Sequence, residues 1–427
     1  MGRSELERLS REELIELVLL LQRPEKTSRT SSKPPSTDRK EQRERSKPGG
    51  AKPGHEGHSR VISEAPDAVV EHRPGQCSGC GAALAVDLPA ETVSVHEQVE
   101  LPAVKPLVTH HRRLAVCCSA CGTRVLAPVP EAARRTPFGP RLHAIATYLK
   151  TFQALSYGRL QGALSDLFGL HLSQGGLMNL LRRAQGCFAG GRTHAIAALR
   201  RAEMVASDET GVRIEGSNAY HWVFRSSEAV VHHAAQTRAA SVVRDMMDGH
   251  QPAVWMSDRY AAQQGHGAAH QTCLAHLARD VAYAVEASDD PVPWRLQIWL
   301  QSVFALAGRV TSLAASTRVA KRRTLDRHLT SILATASSCD VTRALQAKIG
   351  RARDHLLTFL DHPGLVEVTN NACERALRPA VVQRKVTNGY RAMWAAEGEA
   401  AIRTVVDTAQ LTPGTSPFST ILKTLGL

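Results

Sequence analysis

Three carboxylates in this sequence have positions that would suit a metal centre. Asp208 lies in ASDET and Asp258 in WMSDRY, each at the end of an apolar segment, and Glu374 lies in NNACERALRP on a predicted helix. Carboxylates that meet without partners repel one another and are costly to desolvate, whereas two magnesium or manganese ions would neutralise them. Such a pair of ions can support phosphoryl transfer. Glu209, beside Asp208, should point to the opposite face of the strand and is a poorer ligand candidate.

The surroundings of Glu374 admit two interpretations. Asn370 and Asn371 precede the acid, and one of them is expected to cap a helix that Pro379 ends or kinks. Glu374 forms either a surface ion pair or a metal ligand whose basic neighbours bind phosphates. The predicted DNA-binding residues of this segment are Arg375, Arg378, Arg384 and Lys385.

Four cysteines form two matched metal-ligand pairs. Cys77 and Cys80 lie in CSGCG, and Cys118 and Cys121 lie in CSACG. The alternating segments between the pairs, TVSVHEQVEL and PLVTHHRRLAV, predict strands. Two CxxC turns joined by strands are typical of a zinc ribbon, in which four thiolates hold one Zn²⁺ ion. The filled ligand shell predicts a structural zinc ion without a catalytic role, unless the spacing arose by chance in a cysteine-containing loop.

The charge of the chain predicts a polyanionic partner. The formal net charge is +13, which suits nucleic acid or an anionic membrane surface. Residues 23–60 contain eleven Lys or Arg and five Asp or Glu, so they are expected to form a flexible segment that either contacts DNA or serves as a solvated linker. Its predicted DNA-binding residues are Lys47, Lys52 and Arg60. The longest apolar run, LIELVLLL, is too short to span a bilayer, and we recognise no secretory signal, which favours a cytoplasmic location.

Two helical regions are expected before the main strands. Residues 4–22 predict a leucine-rich helix with Ser10 and Glu13 as a capping box, and it either pairs two subunits as a coiled coil or docks within the chain. Farther on, Gly169 should end one helix and Ser173 should cap the next. This hairpin is similar to a helix-turn-helix that reads DNA, although such hairpins also serve as packing units. Its shared core is expected to contain Leu160, Leu164, Leu167, Leu177, Leu180 and Leu181.

The later part of the chain predicts a mixed α/β domain. Three consecutive strand patterns, a helix and a further strand between residues 203 and 260 are typical of an α/β catalytic core with a ribonuclease-H-like fold. Residues 266–287 predict a helix, and a helical insertion follows at about 287–360. The predicted domains are an N-terminal leucine-rich helix (1–22), a basic flexible linker (23–62), a zinc-ribbon-like domain (63–130), a helix-turn-helix-like helical region (131–200), the catalytic domain with its insertion (201–410) and a C-terminal tail (411–427).

The chain resembles bacterial insertion-sequence transposases of the DDE type, specifically the TnpC type of the sixty-six family. The resemblance covers nearly the whole chain and is carried by KPGGAKPGHEGH, the paired CxxC turns, YGRLQGALSDLFGLHLSQGGLMNLLRRA, DETGVR, SDRY, CLAHLARD, NNACERALRP and RKVTNGYRAMWAAEG. By motif it implies that Asp208, Asp258 and Glu374 are the catalytic acids. Cys273 and His276 in CLAHLARD resemble a C-x-x-H signature of several DDE families. They either help to position the active site or pack their helix on the sheet, and no zinc is assigned to them.

The resemblance implies a transposase that binds the terminal inverted repeats of an insertion sequence. With two Mg²⁺ or Mn²⁺ ions per active site, it would cut a DNA strand and join the freed 3′-hydroxyl to target DNA. Its partners would be double-stranded element ends and target DNA, further copies of the chain in a homo-oligomer, and accessory proteins of the element, in the nucleoid of a bacterial cytoplasm and without a membrane. Two alternatives remain: an inactive DNA-binding regulator or degenerate copy, and a ribonuclease-H-like nuclease that cuts without joining.

Overall fold

The computed structural model describes residues 8–22, 24–31, 54–57, 60–131, 134 and 136–426. The chain divides into two compact units, and the smaller one is Arg43–Pro106. The larger unit comprises Met1–Gln42 and Leu107–Leu427. The predicted zinc-ribbon region, residues 63–130, is therefore divided between the two units. None of the described helices is both long and apolar enough to cross a bilayer.

The smaller unit has little regular secondary structure in its described residues. Gln76 and Ala83 form an isolated antiparallel β-bridge, but no strand is found within residues 60–106. The alternating Val93, Val95 and Val99 are 87%, 60% and 63% exposed. The prediction of a strand at TVSVHEQVEL is therefore wrong. Alternation produces a strand only where a neighbouring strand and a core cover the apolar face, and the described residues of this unit supply neither.

The larger unit begins with helix α1, Arg11–Gln22. The backbone N–H of Ser10 donates to the Glu13 carboxylate at 2.7 Å, and the N–H of Glu13 donates to Ser10 Oγ at 3.2 Å. This reciprocal pair confirms the predicted capping box. Residues 8–10 are not helical, so the predicted helix start at residue 4 is too early, and residues 4–7 lie outside the described residues.

The first part of the predicted linker is packed within the larger unit. Within residues 24–31, Thr30 is buried, and the Lys26 ammonium lies 4.9 Å from the centre of the Tyr283 ring. This portion therefore differs from the flexible linker that composition alone suggested.

A small antiparallel sheet flanks the CSACG turn. Strand β1, Ala115–Cys117, pairs with strand β2, Arg124–Leu126. Only the last residues of the predicted strand PLVTHHRRLAV thus belong to a strand, because residues 106–114 are exposed and pair with no other strand among the described residues.

Four helices form the region before the main sheet. Gly169 ends the second of them in the left-handed conformation with φ 63°, and Ser173 Oγ accepts from Gly176 N at 3.1 Å to cap the third, as the sequence predicted. Leu167 is 63% exposed, so its predicted place in the shared core is wrong; Phe168 and Leu170 pack there instead. The helices are α2 Pro140–Thr151, α3 Tyr157–Phe168, α4 Gln174–Cys187 and α5 Ala189–Leu199.

The central element is a five-stranded mixed sheet with the order β5-β4-β3-β6-β7. The first three strands along the chain are antiparallel neighbours, whereas β6 pairs in parallel with both β3 and β7. Successive residues alternate between two buried cores: Val205 packs with Trp222 and Trp255 on one face, and Ala206 packs on the other face. The strands are β3 Met204–Ile214, β4 Ser217–Arg225, β5 Val230–Ala235, β6 Val254–Ser257 and β7 Ala269–Thr272.

Strand β7 replaces the beginning of a predicted helix. The sequence of residues 266–287 suggested one helix, but the helix begins only at Leu274. Gln271 is fully buried in β7, where its side chain donates to the carbonyl of Leu356 and accepts from the N–H of Phe359. A buried glutamine in a short strand is stable only with such partners, and both lie more than eighty positions away along the chain.

Helices cover the sheet and form the predicted insertion. Helix α6 is Ala240–Met247, and the helices after β7 are α7 Leu274–Ala287, α8 Pro291–Ala307, α9 Ala315–Leu333, α10 Asp340–Ala352, α11 Asn371–Thr387, α12 Met393–Ala409 and α13 Pro417–Thr424. Helix α11 continues through Pro379. Of the two predicted effects of this proline, an end of the helix is therefore wrong, and a kink stays a prediction. The proline removes one backbone hydrogen bond, but Leu377 and Ala380 on either side of it are buried and hold the helix against the core.

Candidate active site

Neighbouring elements of the sheet carry the first two acids. Strands β3 and β6 are parallel, and Ala206 pairs with Met256. Asp208 lies two residues farther along β3, and Asp258 is the first residue after the end of β6 at Ser257. The charge of Asp258 raises the pKa of Asp208, so the two carboxylates lie close enough to interact.

Helix α11 brings the third acid to the same edge of the sheet. Glu374 lies in its first turn. Asn370 occupies the N-cap position, but its side chain makes no capping hydrogen bond. The Asn370 amide instead donates to the carbonyl of Ser207 at 2.9 Å, next to Asp208. The predicted capping role is therefore wrong, and Asn370 fixes the start of α11 against strand β3.

The electrostatics of the site show that the three acids interact. The pKa of Asp208 is raised from 3.8 to about 8, first by burial and then by the charges of Glu209, Asp258 and Glu374, against a hydrogen bond from the backbone of Glu209 that lowers it. Glu374 Oε1 is buried and has no hydrogen-bond partner among the described residues. Ionised carboxylates in such a place need a cation, and oxygen ligands suit Mg²⁺ or Mn²⁺. Among the described residues, however, the ligand atoms that all lie within 4.8 Å of one another belong to Glu374, Cys273 and His276, and neither aspartate is in that group.

Glu209 is occupied by other partners. Its carboxylate forms an ion pair with Arg238 at 2.5 Å and accepts from Gln263 Nε2 at 2.5 Å. Gln263 also accepts from the hydroxyl of Ser207, which shares a face of β3 with Glu209. The interpretation of Glu209 as a poor metal ligand agrees with these contacts. Arg238 and Gln263 were not identified from the sequence, because no local pattern marks a partner 29 or 54 positions away.

Cys273 and His276 lie beside Glu374. Cys273 is buried immediately before α7, and His276 lies in the first turn of that helix. One potential ligand atom of each of these three residues lies within 4.8 Å of the others. Because Cys273 and His276 lie beside one of the candidate acids, this arrangement favours a role in positioning the active site over a role in helix packing alone.

The two CxxC turns have the same backbone conformation. In the first, the N–H of Gly81 donates to the carbonyl of Cys77, and the N–H of Cys77 donates to Ala82. In the second turn, the N–H of Gly122 donates to the carbonyl of Cys118, and the N–H of Cys118 donates to the carbonyl of Thr123. Gly81 and Gly122 both have positive φ, 76° and 72°, which explains the glycine after each pair.

Hydrogen bonds also favour thiolates in these turns. The backbone N–H of Gly79 lowers the pKa of Cys77, and the hydroxyl of Thr123 lowers the pKa of Cys121. Thiolates are the form that binds zinc. Cys77 and Cys80 belong to the smaller unit, and Cys118 and Cys121 belong to the larger unit.

The predicted DNA-binding residues have different environments. Lys47 and Lys52 lie outside the described residues. Arg60 is exposed and forms an ion pair with Glu97, and Arg384 donates to the carbonyl of Gly211. The exposed basic residues of α11 are Arg375, Arg378 and Lys385.

Comparison with known protein families identifies the chain. Residues 135–398 match the family model described as "Transposase IS66 family". Residues 74–122, which contain all four predicted zinc ligands, match the "zinc-finger binding domain of transposase IS66" and support a structural zinc ion. No curated protein matches the chain. Because the first match covers more than half of the sequence, the chain belongs to the IS66 family of transposases.

Proposed function

We propose that this protein cuts and joins DNA at the ends of an insertion sequence, with Asp208, Asp258 and Glu374 as its catalytic acids. The observation that carries the proposal is the parallel pairing of β3 with β6, which supports a position of Asp208 near Asp258. The hydrogen bond from Asn370 to Ser207 supports the approach of Glu374 to the same strand. The family match supports transposase activity in general, and the geometry supports these residues in particular.

The arrangement of the sheet supports a ribonuclease-H-like catalytic domain. Three antiparallel strands followed by two parallel strands, with helices on both faces, agree with that expectation. The helices between residues 291 and 352 form an insertion between the second and third acids. The return of the chain at α11 then places Glu374 beside strands that precede it by more than a hundred positions.

The three carboxylates would hold two Mg²⁺ or Mn²⁺ ions, which would activate an attacking oxygen and stabilise a leaving one during phosphoryl transfer. The protein's own part is alignment and charge. Strands β3 and β6 are rigid supports for Asp208 and Asp258, and Asn370 orients the helix that carries Glu374. No side chain would form a covalent intermediate with DNA in this reaction. Water would be the nucleophile in strand cleavage, and a DNA 3′-hydroxyl would be the nucleophile in strand joining.

DNA binding would use several basic surfaces. The exposed Arg375, Arg378 and Lys385 follow Glu374 along α11, so phosphates can lie next to the acids. Arg384 would extend this track. The basic N-terminal segment with Lys47, Lys52 and Arg60, the zinc-finger region and the α3–α4 hairpin would recognise the inverted repeats. Synapsis of two element ends would require a homo-oligomer, and accessory proteins of the element could take part.

The direct experiment incubates the purified protein with labelled element-end DNA and Mg²⁺ or Mn²⁺, and maps nicks and joined products. Asp208→Ala should abolish cleavage and strand transfer while end binding in a gel-shift assay is preserved, because that side chain would hold metal and is not needed to bind the repeats. Glu228→Ala is the control, since Glu228 is an exposed acid in the β4–β5 turn, and it should retain both activities.

The outcomes separate the alternatives. Strand transfer by Asp208→Ala at the wild-type rate would reject the assignment of the site. Metal-dependent nicks without joined products would indicate a nuclease. DNA binding without any metal-dependent cleavage by the wild type would indicate a regulator or a degenerate copy.

A further inference from the structure

A second group of potential metal ligands adjoins the proposed catalytic acids. Cys273 offers a sulfur, His276 a ring nitrogen and Glu374 a carboxylate oxygen, all within 4.8 Å of one another. Cys273 and His276 are three positions apart at the start of α7 and therefore share one side of that helix. Glu374 approaches from the first turn of α11.

The hydrogen bonds of this group are incomplete. His276 Nδ1 and Glu374 Oε1 are both buried, and neither has a hydrogen-bond partner among the described residues. His276 Nε2 lies 3.9 Å from Glu374 Oε1, which is too far for a hydrogen bond. The Cys273 sulfur accepts from the N–H of Asn370 at 3.2 Å. A buried polar atom without a partner destabilises the folded state, so a bound ligand would stabilise the site.

We propose that Cys273, His276 and Glu374 bind a zinc ion that is separate from the predicted ribbon zinc and from the catalytic ions. Sulfur, imidazole nitrogen and carboxylate oxygen are all common zinc ligands, and a thiolate with a carboxylate balances the charge of a divalent ion. Mg²⁺ avoids sulfur, so the cysteine selects for zinc. In a tetrahedral shell the ligand atoms lie about 3.3–3.6 Å apart. The observed His276–Glu374 separation of 3.9 Å needs only a small movement to close.

The ion would connect two elements of the active site. It would join the start of α7 to the start of α11 and would fix the orientation of Glu374, leaving the second carboxylate oxygen for the catalytic metal. This consequence, in which Cys273 and His276 are positioning residues, rests on the proposed function. Zinc binding itself does not depend on it.

The test measures zinc per chain by mass spectrometry after equilibration with buffered Zn²⁺, using the full-length protein. Cys273→Ser and His276→Gln should each hold about one zinc ion fewer than the wild type. The same loss is expected when Cys77→Ser and Cys80→Ser are combined, because the ribbon is a separate site. Cys373→Ser is the matched control: Cys373 is also fully buried and is next to Glu374 in sequence, but it is not in the ligand group.

Two results would overturn the proposal. One is a wild-type zinc content that neither Cys273→Ser nor His276→Gln reduces, and the partly exposed His276 provides a variant that should still fold. The other is an equal loss of zinc in the Cys373→Ser control. Asp208→Asn separates this proposal from the catalytic one, because that variant should keep its full zinc content while it loses cleavage.

Discussion

The buried Asp208 carboxyl should make the stability of the magnesium-free protein depend on pH, and Asp208→Asn should remove that dependence. The pKa of Asp208 is raised to about 8, mainly by burial and then by Glu209. The unfolded chain releases the same proton at about pH 4. Between these two values the folded state binds more protons than the unfolded state. The free energy of unfolding of the wild type therefore falls as the pH rises through this range.

The size of the effect follows from the pKa. A rise from 3.8 to about 8 corresponds to about 6 kcal/mol, at 1.36 kcal/mol for each pKa unit. This is an upper limit, because water entry and side-chain movement relieve part of the cost of a buried charge. Asparagine has nearly the same shape and can still accept from the N–H of Glu209, as Asp208 does at 2.9 Å. We expect Asp208→Asn to gain about 2–6 kcal/mol relative to the wild type between pH 4 and pH 8.

Urea denaturation followed by circular dichroism from pH 5 to pH 9, at fixed zinc and without Mg²⁺ or Mn²⁺, measures this difference. Both proteins keep the zinc-finger region, so its own pH dependence cancels. Glu228→Gln is the control, and its difference from the wild type should stay small because its side chain is in water. Added Mg²⁺ should stabilise the wild type and have little effect on Asp208→Asn. A difference between Asp208→Asn and the wild type that does not grow with pH would refute the reasoning.

Three further substitutions test one contact beside the site and two contacts elsewhere in the fold, each by urea denaturation against the wild type. Asn370→Ala should lower stability by about 1–2 kcal/mol and slow DNA cleavage, because the bond to the Ser207 carbonyl is lost; wild-type values would contradict its positioning role. Ser173→Ala should cost about 1 kcal/mol through the lost helix cap, and no change would show that the cap is dispensable. Arg403→Met should cost about 3–5 kcal/mol, because it leaves the buried Glu399 without its partner; a stabilised variant would contradict this.

Local features of the fold could be predicted from the sequence. The Ser10 capping box, the end of α3 at Gly169 and the cap at Ser173 depend on residues within a few positions of one another. The apolar segment before Asp258 is β6, whose last residue is Ser257, whereas Asp208 lies in the middle of β3, which continues to Ile214, so the prediction that Asp208 ends its strand is wrong. Hydrophobic periodicity and turn chemistry determine such features directly.

Features that depend on distant partners could not be predicted in this way. Strand β7 contains the polar Gln271, whose partners lie in a turn after the helical insertion. Asn370 looked like a helix cap, but its amide binds the Ser207 carbonyl, 163 positions earlier. The apolar alternation around Val95 predicted a strand that has no neighbour among the described residues. In each case, contacts with residues far away along the chain decide which structure forms, and the hydrophobic periodicity of the sequence carries no information about those contacts.

The candidate site was only partly predictable for the same reason. The three candidate acids were identified from their motifs, but the proposed site also depends on the pairing of β3 with β6 and on the Asn370 contact, which no motif shows. The pairing of Glu209 with Arg238, and the approach of Glu374 to Cys273, join residues from separate elements. No spacing rule along the chain indicates them.

The most direct measurement of the central claim is anomalous diffraction from crystals of the wild-type protein soaked in Mn²⁺. The account predicts two manganese peaks about 4 Å apart, coordinated by Asp208, Asp258 and Glu374. Peaks that avoid these three side chains, or no peak at that edge of the sheet while Mn²⁺ supports cleavage in solution, would contradict it.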